Sequence, residues 1–272
     1  MLPQFERGIV AHALSLLLFF AHGAAVTCWT ADQGCAQSAE IQVYTGAIVD
    51  QGMFNLTLHN NYIAQAAQAR KTLGGVELDR SLTGGTEWAY GTTPWLEYGL
   101  YLPIYTLTPD RKLLFDGAEL RALFVTPHAE DRDVVYGMNV ALGFNNRSFA
   151  AHFLSLELRP LWGMALGPMR LTINPIISTD FAGESNITFS PAARVEYPLS
   201  KRWSAALEEY SEFGSVTQFN PFARQQHKLF LVSDYKRGSW SLEVGVGAGL
   251  TSISDPLTLK LVVSCDLPRS KL

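Results

Sequence analysis

From Gly52 onward the chain keeps returning to one device: roughly ten residues that alternate apolar with polar, then a turn. Side chains on an extended strand point to opposite faces in turn, so this spacing gives each strand one greasy and one polar face. Ala118, Leu120, Ala122 and Phe124 share one face, with Glu119, Arg121 and Leu123 on the other. Leu154, Leu156 and Leu158 alternate with Ser155, Glu157 and Arg159 in the same way. The pattern predicts strands near 52–62, 82–90, 95–104, 113–125, 133–144, 150–159, 168–178, 187–197, 203–210, 226–235, 239–250 and 256–266. The tenth departs from it, because Leu229, Phe230, Leu231 and Val232 run together without alternation. About 20 residues per strand and turn suits membrane-crossing strands of ~9–11 residues.

A soluble β-sandwich also alternates, so other features must separate the two. The chain is 47% hydrophobic and 17% charged, which excludes a disordered chain, and its net charge of -4 gives no reason to expect nucleic acid. No segment after the N-terminus approaches ~18–20 uninterrupted apolar residues, so a membrane-spanning form would have to close a sheet on itself. Connection lengths point to such a barrel. Gly91–Pro94, Pro198–Arg202 and Lys236–Gly238 are short, whereas Ile63–Ser81, Tyr105–Lys112, Thr179–Asn186 and Ser211–Gln225 are long. Outer-membrane barrels place short turns on the periplasmic side and long loops outside. Aromatics gather beside the short links: Trp88, Trp95, Trp162, Trp203 and Trp240, with Tyr90, Tyr98, Tyr136, Tyr197 and Tyr235. Amphipathic rings favour the headgroup layer, so these residues read as a periplasmic girdle. The expectation is an all-β chain: a single antiparallel up-and-down transmembrane barrel of about twelve strands in a bacterial outer membrane, with its lipid as partner.

The N-terminus reads as an export signal. Arg7 precedes an apolar run from Ile9 to Phe20, and small residues follow at Ala21, Gly23, Ala24 and Ala25. Residues 1–25 are therefore expected to be a signal peptide, with cleavage near Ala39 or a retained anchoring helix as alternatives. Residues 26–51 would form a periplasmic segment, 52–266 the barrel and 267–272 a tail. Cys28 and Cys35 bracket a short loop that a disulfide could close after export, and Cys265 stands apart. Bulky Val26 and Thr27 before Cys28 argue against a lipoprotein. No spacing resembles a metal site, and no cofactor is expected.

Alternation sends most strand charges inward. The expected lumen layer comprises Glu87, Glu97, Glu119, Arg121, Glu157, Arg159, Arg170, Arg194, Glu196, Glu208, Glu243 and Lys260, with Lys228 further along. Glu119/Arg121, Glu157/Arg159 and Arg194/Glu196 each lie two apart and so share a face. Two readings follow: a structural network filling a narrow barrel, or a constriction that selects a small-molecule solute. Twelve strands lie between a filled barrel and an open channel. Inward Gly245, Gly247 and Gly249 are expected to leave space locally.

A membrane hydrolase would need Ser beside His on one face, with a third group orienting the His. Within one strand that demands His-x-Ser, which does not occur, and His152 and Ser155 would face opposite sides. His59 pairs with Asn61 on the inward face and reads as a lumen hydrogen-bonding residue; His128 lies in a charged turn. No catalytic residue is predicted. The functional expectation is a passive channel, with a structural or adhesive barrel and a hydrolase of unrecognised site as alternatives.

Several stretches carry a family resemblance: IQVYTG at 41–46, GMFNLTLHNNY at 52–62, EWAYGTTPWLEYGLYLP at 87–103, DGAELRALFV at 116–125 and LELRPLWG at 156–163. Together they resemble uncharacterised proteobacterial outer-membrane proteins, similar to the group labelled after the MetA pathway of phenol degradation and often described as transporters. The likeness runs from about Glu40 to Tyr210. It implies an outer-membrane barrel and a small, hydrophobic or aromatic solute, and carries no catalytic motif. One departure stands out: the chain continues through Pro268 to Leu272, where such barrels commonly end on an aromatic residue.

Overall fold

The computed structural model describes residues 40–67, 72 and 74–267. The expected signal peptide, Cys28, Cys35 and residues 268–272 lie outside the described residues. Within them, no helix is long and apolar enough to cross a membrane.

The alternating segments become antiparallel strands joined hairpin to hairpin: β1 (Phe54–Gln65), β2 (Ser81–Thr93), β3 (Leu96–Leu107), β4 (Leu113–Val125), β5 (Val134–Asn145) and β6 (Leu154–Leu166). They continue as β7 (Met169–Asn174), β8 (Ile177–Thr179), β9 (Thr188–Phe189), β10 (Ala192–Pro198), β11 (Trp203–Glu212), β12 (Gly214–Ser215), β13 (Gln226–Arg237), β14 (Trp240–Gly249) and β15 (Leu257–Leu267). β7 and β8 are one strand interrupted at Pro175 and Ile176, β9 and β10 one interrupted at Ser190 and Pro191, and β11 and β12 one interrupted at Phe213. The barrel therefore has twelve strands. The interruptions have a chemical cause: proline has no N–H to give the ladder. β7 and β8 pair with β6 in one continuous register. At Phe213 the register slips by one residue, and Gly214, with φ +84, takes up the extra residue as a bulge.

Closure decides between barrel and sandwich. β1 pairs antiparallel with β15, from Phe54 opposite Leu267 to Gln65 opposite Leu257, so the first and last strands share a ladder. Aliphatic side chains do not meet a second sheet. Leu113, Phe115, Leu120, Val246 and Leu231 stand exposed on the outer face, Leu231 at 68%. A ring of apolar side chains around a closed sheet suits lipid and not water. β13 resolves the one irregular stretch: Phe230 and Val232 point inward to an apolar cluster and Leu231 points out, so both faces are greasy here.

Both β1 and β15 reach their chain-terminal ends on the side of the tight links at 94–95, 167–168, 199–202 and 238–239. The link at 126–133 on that side is longer and contains a single 3-10 turn, Ala129–Asp131. The opposite rim carries the described residues between β1 and β2 (66–67, 72 and 74–80), with 108–112, 146–153, 180–187, 216–225 and 250–256. β6 begins at Leu154 and not near 150, because Asn146 caps the preceding loop: its side chain receives the Ser148 N–H and donates to the Phe115 carbonyl.

Residues 40–49 depart from expectation. They do not lie outside the barrel as part of a periplasmic segment; they run inside the lumen. The chain turns at Asp50–Met53 at the short-link rim, where Gly52 N–H donates to the Gly91 carbonyl at 2.7 Å. A Cβ at Gly91 would overlap the carbonyls of Val49 and Asp50, so only glycine lets the segment pass here.

Candidate functional site

The lumen is built from the polar faces of the strands and from residues 40–49 between them. Ile41 and Val43 turn toward Ile176, Ala192, Ala206, Tyr210, Phe230 and Val232. Tyr44 turns the other way, onto Leu123, Val125, Val135 and Leu161. An extended segment inside a barrel has no strand partner, so its backbone groups need side chains. Asn174 supplies two: Tyr44 N–H donates to Asn174 Oδ1 at 2.7 Å, and Asn174 Nδ2 donates to the Tyr44 carbonyl at 3.0 Å. Val49 N–H donates to Glu97 Oε2 at 2.6 Å, and Arg159 donates to the Gln42 carbonyl at 3.2 Å. Glu40 accepts from Tyr101 at 2.8 Å and from Arg159 at 3.3 Å.

The inward charges form two clusters on facing walls. In the first, Arg121 holds Glu87 through Nε at 2.6 Å and Glu97 through Nη2 at 2.5 Å. His59 and the Tyr101 hydroxyl meet the other Glu87 oxygen at 3.1 and 3.0 Å. Arg159 donates to Glu157 at 2.8 Å, and its guanidinium lies 4.5 Å from the Tyr44 ring centre. Glu119 sits within electrostatic reach of Glu157, Glu40, Arg159 and Arg121. In the second cluster Arg194 pairs with Glu208, with Asp234 at 2.5 Å, and with Glu196 and Glu243 at 3.2 Å. Lys260 bridges Glu208 at 2.5 Å and Glu243 at 2.6 Å, and Tyr210 donates to Glu208 at 2.7 Å. Fully buried charges persist only when paired in this way.

Eleven of the twelve inward charges named from the sequence thus join one cluster or the other. Arg170 does not: it stays at the short-link rim and donates to the Arg132 carbonyl at 3.1 Å. Lys228 pairs with Asp255 at 2.7 Å toward the long-loop rim, apart from both clusters. Sequence reasoning missed Glu40, Tyr44, Tyr101, Asn174, Tyr210 and Asp234. Asp234 shares a face with Lys228, so alternation could have found it; nothing in the local pattern marks Glu40 or Tyr44. The inward glycines leave no open space. A Cβ on Gly247 would overlap the Phe230 ring, one on Gly245 would press against Val232 and Lys260, and one on Gly249 against Ser254. They are the complement of large neighbours. Space remains toward the short-link rim, as a cavity of about 260 Å³ lined by Thr45, Asn55, Glu97, Lys236, Ser264 and Asp266 among others.

Outside, Trp88, Trp162, Trp203, Trp240, Tyr98, Tyr136 and Tyr197 are exposed on the barrel's outer face, with Trp95 exposed in the 94–95 turn. Tyr90 and Tyr235 are half-covered, packing on Phe54 at 4.6 Å and Trp203 at 4.7 Å between ring centres. All lie within five residues of a short-link strand end.

A closed antiparallel barrel with an apolar outer belt and an ion-paired interior is the architecture of outer-membrane proteins, and this chain is one of that class. No family model matches the chain, and no curated protein matches it. Solved structures do. An outer membrane channel from Pseudomonas putida F1 is 14% identical, with 84% of this chain covering all of that one at a TM-score of 0.56. The KdgM porin is similar over 79% of this chain and 99% of its own, at 9% identity and a TM-score of 0.52. A second KdgM structure, in complex with disordered oligogalacturonate, gives 10% identity and 0.51. At such identities the likeness is one of fold.

Proposed function

We propose that this chain is a passive outer-membrane channel for a small solute, closed in this conformation by its own residues 40–49. The observation that carries the reading is what fills the lumen. The centre is occupied by a chain segment that enters at the short-link rim, and not by side chains of the wall alone. Its backbone is held by hydrogen bonds from single side chains, Asn174, Glu97 and Arg159, which can be exchanged for water, and its side chains by the Glu40–Arg159 pair and the apolar contacts of Ile41, Val43 and Tyr44. Displacing the segment would leave a passage flanked by the two charged clusters. Carboxylates outnumber bases in each, so an opened lumen would favour cations modestly over anions. The fold shared with the Pseudomonas channel and the KdgM porin agrees with this reading.

A second reading, a structural barrel, is supported by the same clusters, because Glu208 and Lys260 are wholly buried and tightly paired. Planar-bilayer recording separates them. The full chain should conduct rarely, and a variant lacking residues 40–49 should conduct in discrete, long-lived steps. Silence from both, with the barrels folded, would establish the structural reading instead. The resemblance to the phenol-degradation group suggests a small aromatic or hydrophobic solute. Block of the deletion variant's current by such a compound, and not by a sugar of similar size, tests that class.

A further inference from the structure

Within a single strand no His and Ser meet, but hairpin pairing brings one such pair together. Ser211 on β11 lies directly opposite His227 on β13. Alternation places Ser211 and Glu209 on the face of Leu207, and His227 on the face of Leu229 and Leu231, which is the outer face of the barrel. The pair sits where these strands reach the long-loop rim, away from the lumen and its charge clusters.

The hydrogen bonds around it define which nitrogen carries the proton. Gln225 Nε2 donates to the Asn220 carbonyl at 2.6 Å, so its Oε1 is the atom that meets His227 Nε2 at 3.0 Å. An amide oxygen only accepts, so Nε2 must carry the hydrogen, and in the neutral ring Nδ1 holds a lone pair. Ser211 Oγ lies 2.7 Å from that Nδ1. In this conformation Ser211 donates its one hydroxyl hydrogen to Glu209 Oε1, which also stands 3.4 Å from Nδ1; turning the hydroxyl toward Nδ1 as substrate enters leaves the carboxylate placed to stabilise the imidazolium once it forms. Hydroxyl, imidazole with a fixed tautomer, and an orienting amide are the three parts of an activated nucleophile.

The surroundings indicate what it would act on. Phe222 stacks on His227 at 5.1 Å, Phe213 meets the ring edge-on at 5.7 Å, and Phe219 and Phe189 extend the aromatic surface from Phe213. Phe219 and Phe222 are half-exposed. Apolar rings beside a nucleophile at the lipid boundary suit an acyl chain.

We propose that Ser211, His227 and Gln225 form an esterase site on the barrel's outer face, acting on acyl esters of membrane amphiphiles. Ser211 Oγ attacks the ester carbonyl carbon as its proton passes to His227 Nδ1. The tetrahedral adduct collapses, the carbon–oxygen bond to the alcohol breaks, and His227 returns the proton to the departing alkoxide. Water, deprotonated by His227, then attacks the acyl-Ser211 ester; the serine leaves reprotonated, and a free fatty acid is released. Ser211 and His227 are the catalytic residues, and Gln225 and Glu209 are positioning residues. Ser211 is 4% exposed, so the 216–225 loop with Phe222 must lift for substrate to enter.

The test uses the full barrel folded in detergent micelles, treated with a long-chain fluorophosphonate and then with p-nitrophenyl acyl esters. The expected result is a phosphonate adduct located by peptide mass spectrometry on Ser211 and absent from Ser211→Ala. Octanoate ester should be cleaved at least tenfold faster than acetate. His227→Ala should lower both labelling and turnover by about 100-fold or more. Gln225→Glu, which keeps an acceptor on Nε2, should retain activity that Gln225→Leu loses, while both remain folded by heat-modifiable mobility. A folded barrel unlabelled at Ser211, or labelling unchanged in His227→Ala, overturns the site. Equal rates on acetate and octanoate overturn the substrate class.

Discussion

Asn174→Ala isolates the hold on residues 40–49. The Asn174 side chain is fully buried and is the partner of both Tyr44 backbone groups, at 2.7 and 3.0 Å. Alanine removes it and leaves a buried N–H and a buried C=O without those partners. Each such group costs roughly 1–3 kcal/mol when dry. Water from the cavity toward the short-link rim can reach part of this region, so the lower half of the range applies, about 2–4 kcal/mol in all. The wall strands keep their own ladders, so this penalty falls almost wholly on the seated segment. At about 1.4 kcal/mol per decade, the open-to-seated ratio rises roughly 30- to 1,000-fold. Hydrogen exchange reads that ratio directly, because amide protection reports the local opening equilibrium. Peptides spanning 40–49 should exchange faster by that factor, while those from β4, β5 and β14 stay unchanged. In bilayers the same variant should open correspondingly more often. Unchanged exchange at Tyr44, or an equal rise across the strands, would refute the idea of a separately movable segment.

Other variants probe the lipid face, the ion pairs, the core and the loops. Leu231→Arg should cost about 2–4 kcal/mol of folding stability in lipid vesicles, by urea titration, if that face meets hydrocarbon; a neutral effect would mean it meets water. Lys260→Met leaves Glu208 with Arg194 and Tyr210 but removes the bridge to Glu243, so a loss of roughly 3 kcal/mol is expected in the same titration. Gly247→Ala drives a methyl into the buried Phe230 ring and should cost about 1–3 kcal/mol, where Gly238→Ala at an open turn should not act through packing. At the long-loop rim, burial pushes the Asp180 carboxyl up, but hydrogen bonds from Asn186 and His152 outweigh it and hold it below its ordinary value. A lowered carboxylate gives stability that is complete above the unfolded value, about pH 4, and is lost as pH falls through the folded one. Proteolysis of the 180–187 loop by an acid protease should therefore rise only below about pH 4, and His152→Ala should move that onset upward.

How much of this could be read from the chain depends on the range of the physics involved. A period of two is a local property, so the faces of Glu87, Arg121, Arg194 and Lys260 follow from their neighbours in sequence. Hairpin order is nearly local too, and with it the pairing of β1 through β6. Arg194 meeting Glu243 is not, because that contact reaches past β11 and β13 between strands that do not pair. Residues 40–49 carry only a short alternation, Ile41 and Val43 against Gln42 and Tyr44, too brief to mark a wall strand. Their place depends on the volume left inside a closed barrel and on Asn174, 130 residues away from Tyr44. The glycines at 245, 247 and 249 show the same limit: a missing side chain reads as space until the neighbour that fills it is known.

Ser211 and His227 are the most instructive case, because the information was nearly local. In an antiparallel hairpin the numbers of facing residues add to a constant, and Trp203 facing Tyr235 is enough to place Ser211 against His227. The alternation ends the ninth strand at 210, one residue short of that pair, and His-x-Ser spacing along one strand is blind to residues that face each other across a hairpin. A search across hairpin partners, with strand ends extended by two residues, recovers it. The same search pairs Arg194 with Glu208 across β10 and β11, a second contact between chemically matched residues. Cross-strand complementarity is thus a signal that survives in sequence wherever consecutive strands pair. In barrels, where almost every neighbour is consecutive, it should reveal sites that motif spacing along one strand overlooks.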